Sequence, residues 1–173
     1  MKSAIIDTSS AILLYKARLF GRLIDTYMVV MAASVFLELS VDGYAGADLF
    51  QQWGAEKAFR VLDPDPGSGR RPNDSRNGLP PGTGERDTLQ LYRRGAGDFV
   101  IVDDRAAAVA CKTSDIPYIN ALLVPRVLYM ARCCFHGTFR RGTEVLISIG
   151  RYSDTILRTA ENLSDASMRL FLP

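Results

Sequence analysis

The chain of 173 residues contains one histidine, three cysteines and four lysines, and each scarcity argues against a class of protein. With a single histidine and no pair of cysteines at ligand spacing, an ordinary zinc site is not expected. Three cysteines, two of them adjacent, do not form a disulfide framework, which favours the reducing cytoplasm. No apolar run reaches the roughly 18–20 residues of a membrane span, so we expect no membrane contact. An acid already at residue 7 makes the N-terminus unlike a signal peptide.

Charges nearly balance over the whole chain, with a formal net charge of +2, but arginine dominates the bases. Seventeen of the 21 basic residues are arginine, and positions 116–173 hold seven arginines against four acids. Arginine can bind a phosphate group through two hydrogen bonds, which suits a surface that faces phosphate. The alternative interpretation is a set of solvated helix faces without a binding role.

Hydrophobic residues make up 47% of the chain, and short apolar runs alternate with segments of helical spacing. We expect strands near 3–6, 27–31, 59–62, 98–103 and 117–119, and helices near 11–23, 33–41, 47–57, 83–94, 105–112, 121–135 and 143–163. This alternation predicts an α/β fold, a three-layer α/β/α sandwich around a mostly parallel sheet with Rossmann-like connections. The length fits a single domain over residues 1–173.

One segment interrupts this pattern, because 63–84 holds five of the eight prolines and five glycines. It predicts a long surface loop inside the single domain. The helices expected over 121–163 form an addition after the last strand. Trp53, with Phe50 and Phe59, is interpreted as part of the core, as the face of a homodimer or as a surface that stacks on bases.

Acidic side chains follow two of the expected strands: Asp7 ends the first, and Asp103 and Asp104 end the fourth. Parallel sheets bind ligands at the carboxyl ends of their strands, where the strand order reverses. If the two strands are neighbours there, Asp7 and Asp104 face one crevice. Glu38 in an apolar helix and Asp87 in the first turn of another helix are further candidates. Converging carboxylates repel each other, and a hard cation such as Mg²⁺ or Mn²⁺ relieves that repulsion.

Four short motifs occur in a fixed order: Ile6-Asp7-Thr8-Ser9, Val35-Phe36-Leu37-Glu38-Leu39, Gly84-Glu85-Arg86-Asp87 and Val102-Asp103-Asp104-Arg105. Each motif is weak alone, but the ordered set over roughly residues 3–125 resembles the PIN-domain family of metal-dependent ribonucleases, which includes the VapC-type toxins. The resemblance implies that the catalytic, metal-binding acids are Asp7, Glu38, Asp87 and Asp104, with Asp103 as a further metal ligand.

Glu85 and Asp87 cannot both face one metal ion, because side chains two residues apart on a helix point about 200° apart. The family pattern favours Asp87, which leaves Glu85 to interact with the helix dipole. Each acid also has an ordinary interpretation: Asp7 as a helix cap, Glu38 in a salt bridge or at a helix edge, and Asp87 and Asp104 as solvated side chains.

The resemblance implies a Mg²⁺- or Mn²⁺-dependent endoribonuclease that cleaves RNA phosphodiesters and leaves a 5′-phosphate and a 3′-hydroxyl. It further implies RNA as partner and, for the toxin of a toxin–antitoxin pair, an antitoxin protein. The alternative function is a PIN-like module that binds RNA or a protein with little or no catalysis, since metal ligands alone do not establish turnover. A receiver-type phosphate domain fits poorly, because no lysine follows Lys112.

Overall fold

The five expected strand regions form one sheet in the computed structural model, which describes residues 1–65 and 83–173. The strands are β1 (Ser3–Ile6), β2 (Met28–Ala32), β3 (Arg60–Leu62), β4 (Phe99–Ile101) and β5 (Tyr118–Ile119). Their order in the sheet is β3-β2-β1-β4-β5, and every neighbouring pair is parallel. The prediction of a mostly parallel sheet is therefore confirmed.

Helices in the described ranges connect these strands and extend beyond the last one. They are α1 (Thr8–Lys16), α2 (Phe20–Thr26), α3 (Ala33–Leu39), α4 (Ala47–Ala55), α5 (Thr83–Arg93), α6 (Arg105–Thr113), α7 (Val124–Met130), α8 (His136–Ile149), α9 (Asp154–Asn162) and α10 (Asp165–Met168). The chain crosses the sheet in one direction from β1 to β3 and in the other from β3 to β5. Right-handed crossovers therefore put α5 and α6 on the face opposite to α1–α4, which gives the expected α/β/α sandwich.

The central strands are buried on both faces, as helices on both sides of a parallel sheet require. Ile5 and Val100 are each 0% exposed. Trp53 packs on Phe20 and Phe50 with ring centroids 5.3 and 5.6 Å apart. Because Phe50 is itself 0% exposed, this aromatic cluster belongs to the core. The homodimer stays a prediction.

Two of the predicted helices are divided in the structure, and each division has a local cause. The helix expected over 11–23 breaks between α1 and α2 because Arg18 takes a left-handed backbone conformation, with φ 58°. The prediction of a single helix over 143–163 was wrong, since α8 ends at Ile149 and α9 begins at Asp154. Gly150 occupies that break, where a Cβ would meet the ring of Tyr152 at 2.2 Å. The helix expected over 121–135 likewise stops at 130, after a 3₁₀ turn over 121–123.

The C-terminal segment closes the edge of the sheet at which the strands begin. There the Tyr27 hydroxyl donates to the backbone oxygen of Phe171 at 2.6 Å. Most of the loop expected over 63–84 lies outside the described residues, apart from 63–65 and the start of α5. Within the two described ranges, no helix combines the length and the apolar character that crossing a bilayer requires. The acids that follow β1 and β4 lie at the opposite edge, where the strands end.

Candidate functional site

The acids after β1 and β4 meet where the strand order reverses. β1 pairs with β2 on one side and with β4 on the other, and the backbone N–H of Asp7 donates to Ile101 O at 3.2 Å. The predicted adjacency of these two strands is confirmed. Asp7 therefore emerges beside the Asp103-Asp104 pair, in the position where parallel sheets bind ligands.

Asp7 is the most buried of these acids, with 1% of its surface exposed. One carboxylate oxygen accepts from the Ser10 backbone N–H, and the other accepts from the Ser9 hydroxyl, both at 2.8 Å. Asp7 thus caps α1, as its ordinary interpretation held. Burial raises its pKa to about 6, and the charge of nearby Asp103 adds a smaller rise. The same side chain therefore caps α1 and has the raised pKa.

Asp103 is an anchor for three other segments. Its Oδ2 accepts from the Ser10 hydroxyl at 2.7 Å and from the Ala121 backbone N–H at 2.9 Å. Its Oδ1 accepts from the Tyr152 hydroxyl at 2.7 Å. Burial and then the charge of Asp103 raise the pKa of Tyr152, so this hydroxyl stays protonated as a donor. With three of its roughly four lone-pair positions in use, Asp103 is less suited to bind a metal than its neighbours.

Asp104 and Glu38 keep more of their carboxylate available. Asp104 caps α6, since its Oδ1 accepts from the Ala107 N–H at 2.9 Å, while its Oδ2 accepts no hydrogen bond within the described residues. Glu38, on α3, accepts from the Thr8 hydroxyl through Oε2 at 2.5 Å. Among the described residues Glu38 forms no salt bridge, but it lies near the C-terminal end of α3, as its other ordinary interpretation held. Asp104 caps a helix instead of being purely solvated. Each offers one oxygen to a ligand.

The start of α5 brings Glu85 rather than Asp87 toward these acids. A Cβ at Gly84 would lie 3.4 Å from both carboxylate oxygens of Glu38, so α5 begins against that side chain. Burial raises the pKa of Glu85, followed by the charges of Asp104 and Glu38. Asp87 instead accepts from the Ser34 hydroxyl at 2.7 Å. The two acids of α5 thus have different neighbours, as their spacing requires, so Glu85 is a candidate for the site beside the predicted Asp87.

We refer to the six acids described above as the acid edge: Asp7, Glu38, Glu85, Asp87, Asp103 and Asp104. None of them lies within 4 Å of a lysine or arginine nitrogen in the described ranges, where the ion pairs are Arg126–Asp165 and Arg140–Glu144. The donors are oxygens only, which fits Mg²⁺ or Mn²⁺ in charge and in atom type. However, no three acidic, histidine or cysteine side chains among residues 1–65 and 83–173 are arranged as a preformed metal-binding group. Hydroxyls and backbone N–H groups hold the carboxylates instead.

Sequence reasoning missed three residues of this site. Glu85 was set aside, although Gly84 before it was a signal, because a residue without a side chain permits close approach to Glu38. Ser10 directly follows the Ile6-Asp7-Thr8-Ser9 motif but is not among the predicted site residues. Tyr152 lay inside a predicted helix, and the signal overlooked there was Gly150, a residue that often ends helices.

No model of a known protein family, no curated protein and no solved structure matches this chain. The interpretation of the acid edge therefore depends on its own geometry and charge.

Proposed function

We propose that this protein is a Mg²⁺- or Mn²⁺-dependent endoribonuclease and that its acid edge holds the cation. The observation that carries the proposal is the state of Asp7: a carboxyl group 1% exposed, with a raised pKa and no basic partner among the described residues. An ionised carboxylate in such a place is costly unless positive charge is brought to it. The ordered motifs that resemble the PIN-domain family support the same interpretation.

Four residues of the acid edge bind the cation in this proposal. Asp7, Glu38 and Asp104 supply carboxylate oxygens. The fourth ligand is Glu85, whose pKa is raised by burial and by the charges of Asp104 and Glu38, in place of Asp87, which accepts from Ser34. When bound, such a cation lowers the pKa of a coordinated water and neutralises charge on the phosphodiester. The protein orients the acids beforehand, because Ser9 and Ser10 fix Asp7 and Thr8 fixes Glu38.

Cellular context enters the proposal only through the resemblance. It supports a cytoplasmic protein that acts on RNA, and a toxin whose partner is an antitoxin protein. A gene for a small DNA-binding protein next to this one would strengthen the toxin assignment.

Cleavage of single-stranded RNA tests the proposal. We expect cleavage with Mg²⁺ or Mn²⁺, none with EDTA, and products with 5′-phosphate and 3′-hydroxyl ends. With Ca²⁺ we expect RNA binding but little turnover, because its flexible coordination positions an attacking water poorly. Asp7→Asn and Asp104→Asn should each reduce the rate about 100-fold or more, since even outer-shell changes at metal sites cost about 10–100-fold.

The matched control is Asp98→Asn. Asp98 precedes β4, where its carboxylate accepts from the Ser3 N–H at 2.7 Å at the amino edge of the sheet. It carries the same charge next to the same strands, but far from the acid edge, so its rate should stay within about twofold of wild type. Normal cleavage by Asp7→Asn and Asp104→Asn together would reject the site. A matched pair, Glu85→Gln and Asp87→Asn, decides which acid of α5 takes part, and we expect the larger loss from Glu85→Gln.

A second candidate function is a module that binds RNA with little or no catalysis. The observation that favours it is that the described acids do not form a preformed metal-binding group. Wild-type protein that binds RNA but cleaves none with either metal would support this candidate over the nuclease.

A further inference from the structure

The segment 116–143 contains four arginines and no aspartate or glutamate. Arg126 is engaged, because it pairs with Asp165 at 2.6 Å and donates to Ala160 O. Arg132 and Arg141 are exposed. Arg140 pairs with Glu144 at 3.7 Å, with both side chains 67–68% exposed, and such a pair contributes little. Three arginines of this segment are therefore available to an anionic partner.

Aromatic residues alternate with these arginines along the same segment. The rings of Tyr129 and Phe139 stack with centroids 5.3 Å apart, and the ring of His136 lies 5.7 Å from Tyr129 and 6.0 Å from Phe139. Phe135, next to His136, is 83% exposed, and Tyr129 is 42% exposed. We refer to Tyr129, Phe135, His136 and Phe139 as the ring surface. Phe139 is only partly exposed, so the ring area open to solvent comes from Tyr129, Phe135 and His136.

The backbone explains how the rings meet, but stability does not explain Phe135. Arg132 takes a left-handed conformation with φ 60°, which turns the chain after α7 and returns it to start α8 beside Tyr129. Phe135 is the N-cap of α8 and makes no capping hydrogen bond there. Serine, threonine, aspartate or asparagine would stabilise that position by about 1 kcal/mol. An exposed phenylalanine at this position therefore suggests a role in binding.

We propose that the ring surface, with Arg132 and Arg140, binds single-stranded RNA by stacking unpaired bases on the rings and contacting phosphates with the arginines. This rests on the proposed function for the identity of the nucleic acid. Stacking uses the face of a base, which only an unpaired strand presents, whereas duplex RNA is recognised by shape and backbone. Arg140 lies four residues after His136, so both occupy one side of α8.

The position of the ring surface suits an RNA chain that continues to the acid edge. The Ala121 N–H donates to Asp103, and the chain then runs through α7 to Tyr129. With a rise of about 2.0 Å per residue in the 3₁₀ turn over 121–123 and about 1.5 Å in α7, Tyr129 lies no more than about 14 Å from Ala121. A single-stranded RNA bound at the ring surface can therefore extend to the carboxylates of the acid edge.

The test measures binding of a fluorescein-labelled single-stranded RNA of about 12 nucleotides by anisotropy, in EDTA so that no cleavage interferes. Phe135→Ala should weaken binding about tenfold, and Phe135→Trp should restore it, because a larger ring offers the same stacking face. The matched control is Leu170→Ala, at an apolar side chain 59% exposed elsewhere on the protein, which should bind as wild type does. Duplex RNA of the same sequence should compete poorly.

The arginines are tested through salt dependence. The double variant Arg132→Gln/Arg140→Gln should flatten the slope of log K against log salt by about 1.4, for two phosphate contacts to a single strand. Arg93→Gln, at an exposed arginine on α5, should leave the slope unchanged.

The outcomes separate this proposal from the nuclease. If wild type cleaves RNA while the ring and arginine variants bind it normally, the ring surface is rejected and the nuclease stands. If wild type never cleaves but Phe135→Ala loses RNA binding, the ring surface stands without the nuclease. Self-association that Phe135→Ala abolishes, with no effect on RNA binding, would make the ring surface a contact between copies of this chain and overturn the proposal.

Discussion

The acid edge and the segment 116–143 differ in almost every physical respect. At the acid edge, carboxylates are partly or fully buried, hydrogen-bonded to hydroxyls and N–H groups, and without basic partners in the described ranges. In 116–143, three of the four arginines and the rings of Tyr129, Phe135 and His136 are exposed, and no acid occurs. The small net charge of +2 is therefore the sum of an acidic region, whose charge favours a cation, and a basic segment, whose charge favours an anion. A metal-dependent enzyme acting on RNA needs both.

The two regions are joined through Asp103. This carboxylate accepts from Ser10 in α1, from Ala121 at the start of the arginine-bearing segment, and from Tyr152 between α8 and α9. The C-terminal helices are thereby tied to the site rather than only packed beside it. Variants of Asp103, of its hydrogen-bond donors and of the neighbouring acids test whether the stability of the two regions is coupled.

The largest expected effect is on stability and comes from Asp103→Leu. It leaves three donors without their acceptor, and an unsatisfied buried donor costs about 1–3 kcal/mol. Since water reaches part of this site, we expect a total loss of about 3–5 kcal/mol in the free energy of unfolding, measured with urea. Asp98→Leu, the control at the amino edge, loses one exposed hydrogen bond and should cost about 1 kcal/mol or less. Equal losses from the two variants would remove Asp103 as the junction.

Asp7→Asn should stabilise the metal-free protein. The pKa of Asp7 is raised from 3.8 to about 6 in the folded state, so folded protein binds the proton more tightly than unfolded protein. Stability from this group is consequently present at low pH and is lost as pH rises from about 4 through 6. A shift of about two units corresponds to about 3 kcal/mol, of which the altered Ser9 contact offsets a part.

We therefore expect Asp7→Asn to raise the free energy of unfolding by about 2 kcal/mol at neutral pH in EDTA. The variant should also flatten its pH dependence between about 4 and 6. Urea unfolding across this range measures both effects. A variant less stable than wild type at neutral pH would mean that the cap, rather than the buried charge, dominates at this residue.

Tyr152→Phe tests whether the C-terminal addition supports the acid edge. It removes one hydrogen bond to a charged acceptor, so we expect a loss of about 1–2 kcal/mol in a thermal or urea melt. Ser10→Ala removes another from the same carboxylate, and the double variant should deviate from additivity by about 0.5 kcal/mol or more. Tyr118→Phe is the control, because that hydroxyl makes no hydrogen bond within the described residues. Full additivity would argue against a shared junction.

The smallest expected effect on the metal-free protein is that of Asp104→Asn. Asparagine caps helices as well as aspartate does, so α6 keeps its cap and the free energy of unfolding should change by less than about 0.5 kcal/mol. What the variant should lose is the upward shift in melting temperature that Mn²⁺ gives wild type, since binding to the folded state stabilises it. A large loss of stability without metal would make Asp104 a structural residue.

The fold was accessible from the sequence because strand signals are local. Runs such as Phe-Val-Ile-Val before Asp103 mark buried strands, and their order led directly to acids at the carboxyl edge. The choice between Glu85 and Asp87 was different, since it depends on how α5 is rotated about its axis against Glu38. The break between α1 and α2 occurs at Arg18, and no glycine or proline at that position indicates it in the sequence. The contact of Tyr152 with Asp103 joins residues 49 positions apart, and hydrophobic periodicity predicts only local structure, so it could not predict this contact.

The most direct test of the account is the anomalous scattering of crystals soaked in Mn²⁺. If the acid edge holds the cation, an anomalous peak lies there, within ligand distance of carboxylate oxygens from Asp7, Glu38 and Asp104, and closer to Glu85 than to Asp87. Soaked crystals of Asp7→Asn should show a weaker peak or none. An acid edge without any peak at Mn²⁺ concentrations that support RNA cleavage, or a peak only elsewhere on the protein, would contradict the account.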